Sequence, residues 1–311
     1  MQKFNRVYLM KVEGDDGTSL TSLAEPFRSN HAEAADKMIT ITLPYTVEFR
    51  IVRRQLTSSQ SGNFKIYNLG KNVRDAIQKD IFQRSQYRRI EFYAGYDSPD
   101  GKFVPLVFNG TVLTAFSYRV DRNWVTEIEA YDGMWQRVNG NNVSLSLAPN
   151  TSTRDVLFQL ATSLPNLTGQ PLIGQFPTTS PRGQVLFGNA WDLLVQQSQG
   201  LAFIDSNQLK VLNWNEFITS DLETLSWENG LLGAPKRTET MLEFDMIFEP
   251  RLTVGQILNL NSLTQPIYNH DWKVMGFEHR GTISPSVAGE CLTSVSLWFT
   301  QRQFNRRVVG A

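Results

Sequence analysis

The stretch Thr238-Glu239-Thr240-Met241-Leu242-Glu243-Phe244-Asp245-Met246-Ile247-Phe248 decides the fold class. Leu242, Phe244, Met246 and Phe248 fall on one parity, and Met241, Glu243, Asp245 and Ile247 on the other. A period of two puts the first set on one face of a strand and the carboxylates on the opposite face. Working outward, the same period recurs in Met38–Arg54, where Ile39, Ile41, Val47, Phe49 and Ile51 keep it. Leu43-Pro44 breaks that run, because proline cannot donate to a central ladder. Further strands are predicted at Asn63–Asn68, Arg89–Tyr96, Leu106–Val120, Trp124–Tyr131, Trp272–His279 and Leu292–Thr300. Within Leu106–Val120, Asn109-Gly110 could make a tight hairpin turn or a bulge. The last two strands are joined by a Gly/Ser/Pro-rich loop from Gly281 to Gly289.

Helical spacing appears in three places. Asn72 is a candidate N-cap for Val73, Ala76, Ile77 and Ile81, a helix of about 12 residues over 72–84. Pro149 to Thr153 leads into Val156, Leu157, Leu160, Ala161 and Leu164, a capped amphipathic helix. Asn189 caps Trp191, Leu194, Val195 and Ser198 after the short apolar strand Val185-Leu186-Phe187. Leu201–Ile204 and Leu209–Leu212 flank Asp205-Ser206-Asn207, a hairpin by its turn chemistry. The chain therefore reads as β-rich α+β, with a β unit over 1–145, a small α+β unit over 146–215, and a second β unit over 216–311.

Composition excludes several classes. The 311 residues carry 30 Lys+Arg and 30 Asp+Glu, for no net charge, so nothing would dominate a phosphate backbone. With 41% hydrophobic residues, the chain can bury cores and is not a disordered protein. One Cys leaves no intrachain disulfide and no multi-thiolate zinc site, and three His make His-rich metal chemistry unexpected. Met1 to Arg6 lacks the apolar run of a signal peptide, and no stretch approaches the ~18 apolar residues of a membrane span. A soluble protein made in a cytoplasm, without stable membrane insertion, is the expectation. The Asn-x-Ser/Thr triplets at Asn109, Asn142, Asn150 and Asn166 then read as polar turns rather than glycan acceptors.

Candidate chemistry is sparse. There is no Gly-x-Ser-x-Gly elbow, no His-Glu-x-x-His, no phosphate loop and no dinucleotide fingerprint. Glu127 and Glu129 share a strand face, close enough for shared-proton chemistry, but a solvated face is the plainer reading. Asp15-Asp16 offers too few oxygens for calcium and reads as a turn. His270-Asp271 is a poor dyad, since adjacent strand residues point to opposite faces. His279 reads as a half-buried polar partner, Cys291 as a small core residue, and Trp124, Trp135, Trp191, Trp272 and Trp298 as core or subunit contacts. No catalytic, cofactor or metal residue is assigned, and no enzyme activity is expected.

Several stretches, taken in order, carry a resemblance. They are Phe49-Arg50-Ile51, Ser61 to Leu69, Arg89 to Tyr96, Phe108 to Val112, Thr126 to Gly133, Arg182 to Asp192, and Leu209 to Leu212. Over roughly 40–300 this pattern resembles baseplate hub and tail-tip hub proteins of tailed bacteriophages, especially contractile-tailed ones.

The resemblance implies two tail-tube-like β-barrel domains bracketing the α+β domain, in a virion protein assembled in the host bacterial cytoplasm. It also implies a homotrimer, because a tail tube is six-fold and a spike three-fold, and three chains with two barrels each imitate a hexagon. Tail tube protein, central spike, tape-measure protein and other baseplate subunits are the implied partners, with DNA passing only transiently. An acidic lumen strand at Thr126–Glu129, a contact arm at Gly14–Asp36 and a basic surface tail at Arg302–Arg307 complete the expectation. The alternatives are a receptor- or glycan-binding tail protein and, less favoured, a cell-wall-degrading tail enzyme with paired carboxylates.

Overall fold

The computed structural model describes residues 5–14, 38–55, 60–82, 86–98, 101–176, 181–219, 222, 224–287, 289–298 and 307–308. Asp15-Asp16, the arm through Asp36 and the tail at 302–306 lie outside the described residues. The chain divides into two units. The first comprises Met1–Ile51, Ser61–Tyr131 and Arg280–Cys291, and the second Val52–Gln60, Asp132–His279 and Leu292–Ala311. The protein is mostly β-sheet. The strand orders are open among the described residues, with no closed barrel.

The first unit takes in β1 (Arg6–Glu13), β2 (Met38–Thr42), most of β3 (Val47–Arg54), β4 (Gln60–Tyr67), α1 (Lys71–Ile77), β5 (Arg89–Ser98), β6 (Gly101–Phe103), β7 (Leu106–Val120) and β8 (Asn123–Asp132) up to Tyr131, while Val52–Arg54, Gln60 and Asp132 count with the second. Its strands run in the order β3-β4-β8-β7-β5-β1-β2, with β6 on β5. The alternation read from sequence is what the sheet buries. The rings of Phe49 and Phe64 each lie 5.0–5.1 Å from that of Phe92, and Phe108 lies 5.7 Å from Phe64. Strand β1 is an addition to the sequence reading. Tyr8, Met10 and Val12 are buried there, with Met10 opposite Phe92 of β5.

Two expectations change. Asn109-Gly110 is neither turn nor bulge but the middle of the 15-residue strand β7. Gly110 is needed for room, since a Cβ there would lie 2.8 Å from the Tyr131 carbonyl oxygen and 3.0 Å from the Phe108 ring. The register shifts fall to either side, between Val112 and Thr114 against β8 and opposite Phe92/Tyr93 against β5. Helix α1 starts after Gly70 rather than at Asn72 and ends at Ile77. Lys79 leaves the helix to bridge Ala115 of β7, so the backbone groups that would extend it are spent on the sheet.

The second unit opens with α2 (Met134–Val138), β9 (Asn142–Leu147), α3 (Thr153–Thr162), β10 (Leu172–Ile173), β11 (Gln184–Asn189), α4 (Ala190–Gln197), β12 (Ala202–Asp205) and β13 (Gln208–Val211). Ser152, within the capping stretch Pro149–Thr153, caps α3 by accepting the Asp155 N–H, and Asn189 caps α4, as predicted, by accepting those of Trp191 and Asp192. One core joins Val156, Leu157 and Leu160 to Leu193, Leu194, Leu209 and Val211. The remaining strands are β14 (Glu216–Phe217), β15 (Leu231–Arg237), β16 (Met241–Ile247), β17 (Ile257–Asn259), β18 (Asp271–Ile283), β19 (Cys291–Trp298) and β20 (Arg307–Val308). They form the order β15-β16-β19-β18, with β17 on β18 and β20 on β14. Leu242, Phe244 and Met246 of β16 pack with Val295 and Leu297 of β19, the parity predicted from the opening stretch.

Candidate functional site

On β8 of the first unit, Thr126, Ile128 and Ala130 are buried, while Glu127, Glu129 and Tyr131 occupy the opposite face. That face carries tyrosine–carboxylate pairs across successive strands. Tyr67 donates to Glu48 at 2.8 Å, Tyr118 to Glu127 at 3.1 Å, Tyr131 to Glu129 at 2.7 Å and Tyr93 to Glu91 at 3.0 Å. Cations sit among them, with Lys65 3.9 Å from Glu127, Arg89 3.3 Å from Glu91, and Lys11 5.8 Å from the Tyr93 ring centre. Burial and the bond to Glu48 push the Tyr67 hydroxyl up to about 12, and burial and Glu91 do the same at Tyr93. Glu127 and Glu129 each hold their own tyrosine, so the arrangement does not bring them together on a shared proton. The face interleaves both signs of charge and is not a plain acidic surface. Thr126 lies on the buried side, bonded to Ser117 at 2.9 Å.

The second unit holds a buried charge cluster that sequence reasoning missed. Arg53, Asp132, Asp205 and Lys210 are each 6% exposed or less. The Asp205 carboxylate accepts from Arg53 and, at 2.7 Å, from Lys210. The Asp132 carboxylate accepts the backbone N–H groups of Ser206 and, at 2.9 Å, Asn207. Ser206 and Asn207 are the two turn residues between β12 and β13, with φ of 55° and 59°, the left-handed pair that a tight hairpin of this twist requires. Gln136 bonds the Asn207 side chain at 3.1 Å, and Arg53 the Ser206 hydroxyl at 3.0 Å. Arg53 and Lys210 hold Asp205 as a paired anion, while Asp132 spends its oxygens on the turn N–H groups. The cluster therefore fixes a turn. The sequence signal was the Asp205-Ser206-Asn207 turn itself; the partners Arg53 and Asp132 lie far away in the chain.

Other sequence candidates resolve as structure. The His270 ring lies edge-on to Trp272 at 6.1 Å, and Asp271 accepts from Asn259 at 2.5 Å, so the two do not act on one another as a dyad. His279 is fully rather than half buried, shares a hydrogen bond with Thr293 at 2.8 Å, and is packed by Phe248 and Phe277. Cys291 is buried, and burial pushes its thiol up to about 12. Trp191 and Trp272 are core residues, whereas Trp124 is 40% exposed with the Arg74 guanidinium 3.7 Å over its ring. Trp298 meets the half-exposed Trp214 at 4.1 Å. Asn150 and Asn166 hold positive-φ turn positions, but Asn109 and Asn142 lie in β7 and β9. Among the described residues no group of three or more His, Cys, Asp or Glu is arranged to hold a metal ion. No helix there is long and apolar enough to cross a membrane.

This architecture is shared with tail proteins. The 43 kDa tail protein of prophage MuSo2 from Shewanella oneidensis aligns over 94% of this chain and 96% of its own, with a TM-score of 0.56 and 6% identity. The tail protein from Neisseria meningitidis MC58 aligns over 95% and 97%, with a TM-score of 0.54 and 10% identity. A chain of the Francisella PdpA-VgrG complex in its lidded form aligns over 99% of this chain and 55% of its own, at 0.53 and 9%. At these identities the likeness is one of fold. No curated protein matches in sequence. The family model described as Baseplate hub gp41 matches residues 33–280, well over half of the sequence, and the chain belongs to that family of phage baseplate structural proteins.

Proposed function

We propose that this chain is the hub subunit that joins a hexameric tail tube to a trimeric central spike. Three copies form a pseudo-six-fold ring that lines the DNA ejection channel. What supports the reading is the division into two units, each contributing its own run of β-strands, so that three chains would supply six β modules. In this reading residues 1–145 and 216–311 are the two tube-like modules, residues 146–215 the α+β segment between them, and the ring of neighbours completes each barrel. The tyrosine–glutamate face of the first unit suits the channel wall. Its carboxylates repel phosphate, its lysines and arginines have carboxylates or tyrosines beside them, and a polyanion finds no continuous basic track on which to stick.

The tube protein and spike are the two principal partners, with the tape-measure protein and other baseplate subunits as further contacts and assembly in the host cytoplasm. No catalytic role is assigned. Light scattering on the purified protein across a dilution series tests the stoichiometry. The mass of three chains, held down to micromolar concentration, is expected, whereas a single-chain or six-chain mass overturns the reading.

A further inference from the structure

Strands β9 and β11 form a two-stranded ribbon, with Ser146 opposite Val185 and Ser144 opposite Phe187. Val143, Leu145 and Leu186 turn inward and pack on the core of α3 and α4. Val185 and Phe187 turn outward and are 71% and 78% exposed, beside the exposed Ser144 and Ser146. Nothing from Asn142 to Leu147 is charged, and none of it is proline. Among the described residues the far edge of β9 has no strand partner. A free edge of this kind is what folded proteins normally block with lysine, proline or a bulge, and a ribbon of two strands gains stability from a third.

A second edge has the same character. Strand β2, Met-Ile-Thr-Ile-Thr over Met38–Thr42, ends the sheet order of the first unit. It too has no charge and no proline, and its outer side has no strand partner among the described residues. By contrast β15, the terminal strand of the sheet in the second unit, carries Pro235, Lys236 and Arg237. The two unguarded edges, five and six residues long, both lack charge, so pairing them buries no unpaired ion and satisfies backbone groups of both.

We propose that the outer edge of β9 in one copy receives the β2 edge of a second copy as an added strand beside Ser144 and Ser146. The complementary edge is present in this same chain, which favours a copy of itself over a foreign protein. Because the two edges are different surfaces, the contact is head-to-tail, which builds a ring where its rotation closes, as the trimer requires, and not the two-fold dimer of a self-complementary patch. The inference rests on the trimer reading above.

Two sets of variants test it in the full chain. Ser144→Lys with Ser146→Lys places on β9 the charges that natural edges use against pairing. The expected result is a folded single chain, with an unchanged circular dichroism spectrum, where the parent has the mass of three. Thr40→Cys with Ser144→Cys, treated with a short bis-maleimide that adds to both thiols, should give covalent dimers and trimers on a denaturing gel, and neither single variant should. A parent that is not trimeric sinks the trimer reading itself. A trimeric parent whose double-lysine variant stays trimeric, or whose double-cysteine variant does not cross-link, overturns the strand addition alone.

Discussion

The carboxylate of Asp132 accepts the backbone N–H of Asn207 at 2.9 Å across 75 residues of sequence, and the N–H of Ser206 with its other oxygen. A side chain at the end of β8 thus does for the β12–β13 turn what a capping residue does for a helix. It satisfies the Asn207 donor, which burial has cut off from water, and the part-buried Ser206 donor beside it. Removing it leaves the buried Asn207 N–H and the part-buried Ser206 N–H without an acceptor. Asp132→Ala is expected to cost about 2 kcal/mol or more, on the scale of buried backbone donors left without an acceptor. Urea unfolding of the variant against the parent measures it.

Next to it, Gly133 has φ of 76°, and a Cβ there would lie 2.8 Å from Cβ of Ile204. Gly133→Ala therefore adds a clash to left-handed backbone strain, roughly 1–2 kcal/mol for the strain alone. Gly70, before α1, has nothing within 4 Å of such a Cβ and φ of −60°. Gly70→Ala is the matched control and should leave the melting temperature within a degree or two.

The acid response follows from three buried groups of the second unit. Burial pushes the Asp132 carboxyl up to about 7, against the pull of Arg53. Its folded value is raised, so it contributes stability that is full below 3.8 and lost as pH rises through 7. Burial, reinforced by Arg53, pulls His279 down to about 3, so its contribution is full above 6.5 and lost as pH falls toward 3. Between those limits the two oppose each other. Burial works against ionised Asp205, but Arg53 and Lys210 hold it down to about 2, so its contribution also drains away below 3.8. The urea midpoint should vary little between pH 6.5 and 4 on account of these groups and drop steeply below 4. In His279→Gln the opposing slope is gone, and the midpoint should rise as pH falls from 6.5 to 4.

On the polar sheet face, Tyr67 and Tyr93 are both pushed to about 12, by burial first and then by the carboxylates that accept their hydroxyl protons. Absorbance titration of the tyrosines should therefore leave a fraction un-ionised at pH 11. Glu48→Gln should bring the Tyr67 share of that fraction back toward the ordinary value of 10.0. A titration in which all tyrosines ionise together near pH 10 contradicts the pairing.

What could be read from the residues was local. The parity of Leu242, Phe244 and Met246, the caps Ser152 and Asn189, and the turn at Ser206-Asn207 all sit in short windows where one period or one side chain decides the backbone. Strand β1 escaped because its buried residues Tyr8, Met10 and Val12 lie in a charged N-terminal stretch, and its identity comes from pairing with β5 about 85 residues on. The Arg53–Asp205 pair, 152 residues apart, left no mark on periodicity at all. Asn109-Gly110 misled for a related reason. Its local turn preference yields to a tertiary need, the space Gly110 leaves for Phe108. The polar face was half visible, because Glu127 and Glu129 stood out on one strand while their tyrosine partners were not recognised as such.

The most direct test of the account is electron microscopy of the isolated protein, or of the tail end of a virion carrying it, viewed down the axis. Three copies should form a closed ring with six β-rich lobes around one channel, two from each chain. A ring built from six copies, or chains that never close around a channel, contradicts the proposal that a pair of β modules per chain converts three-fold into six-fold symmetry.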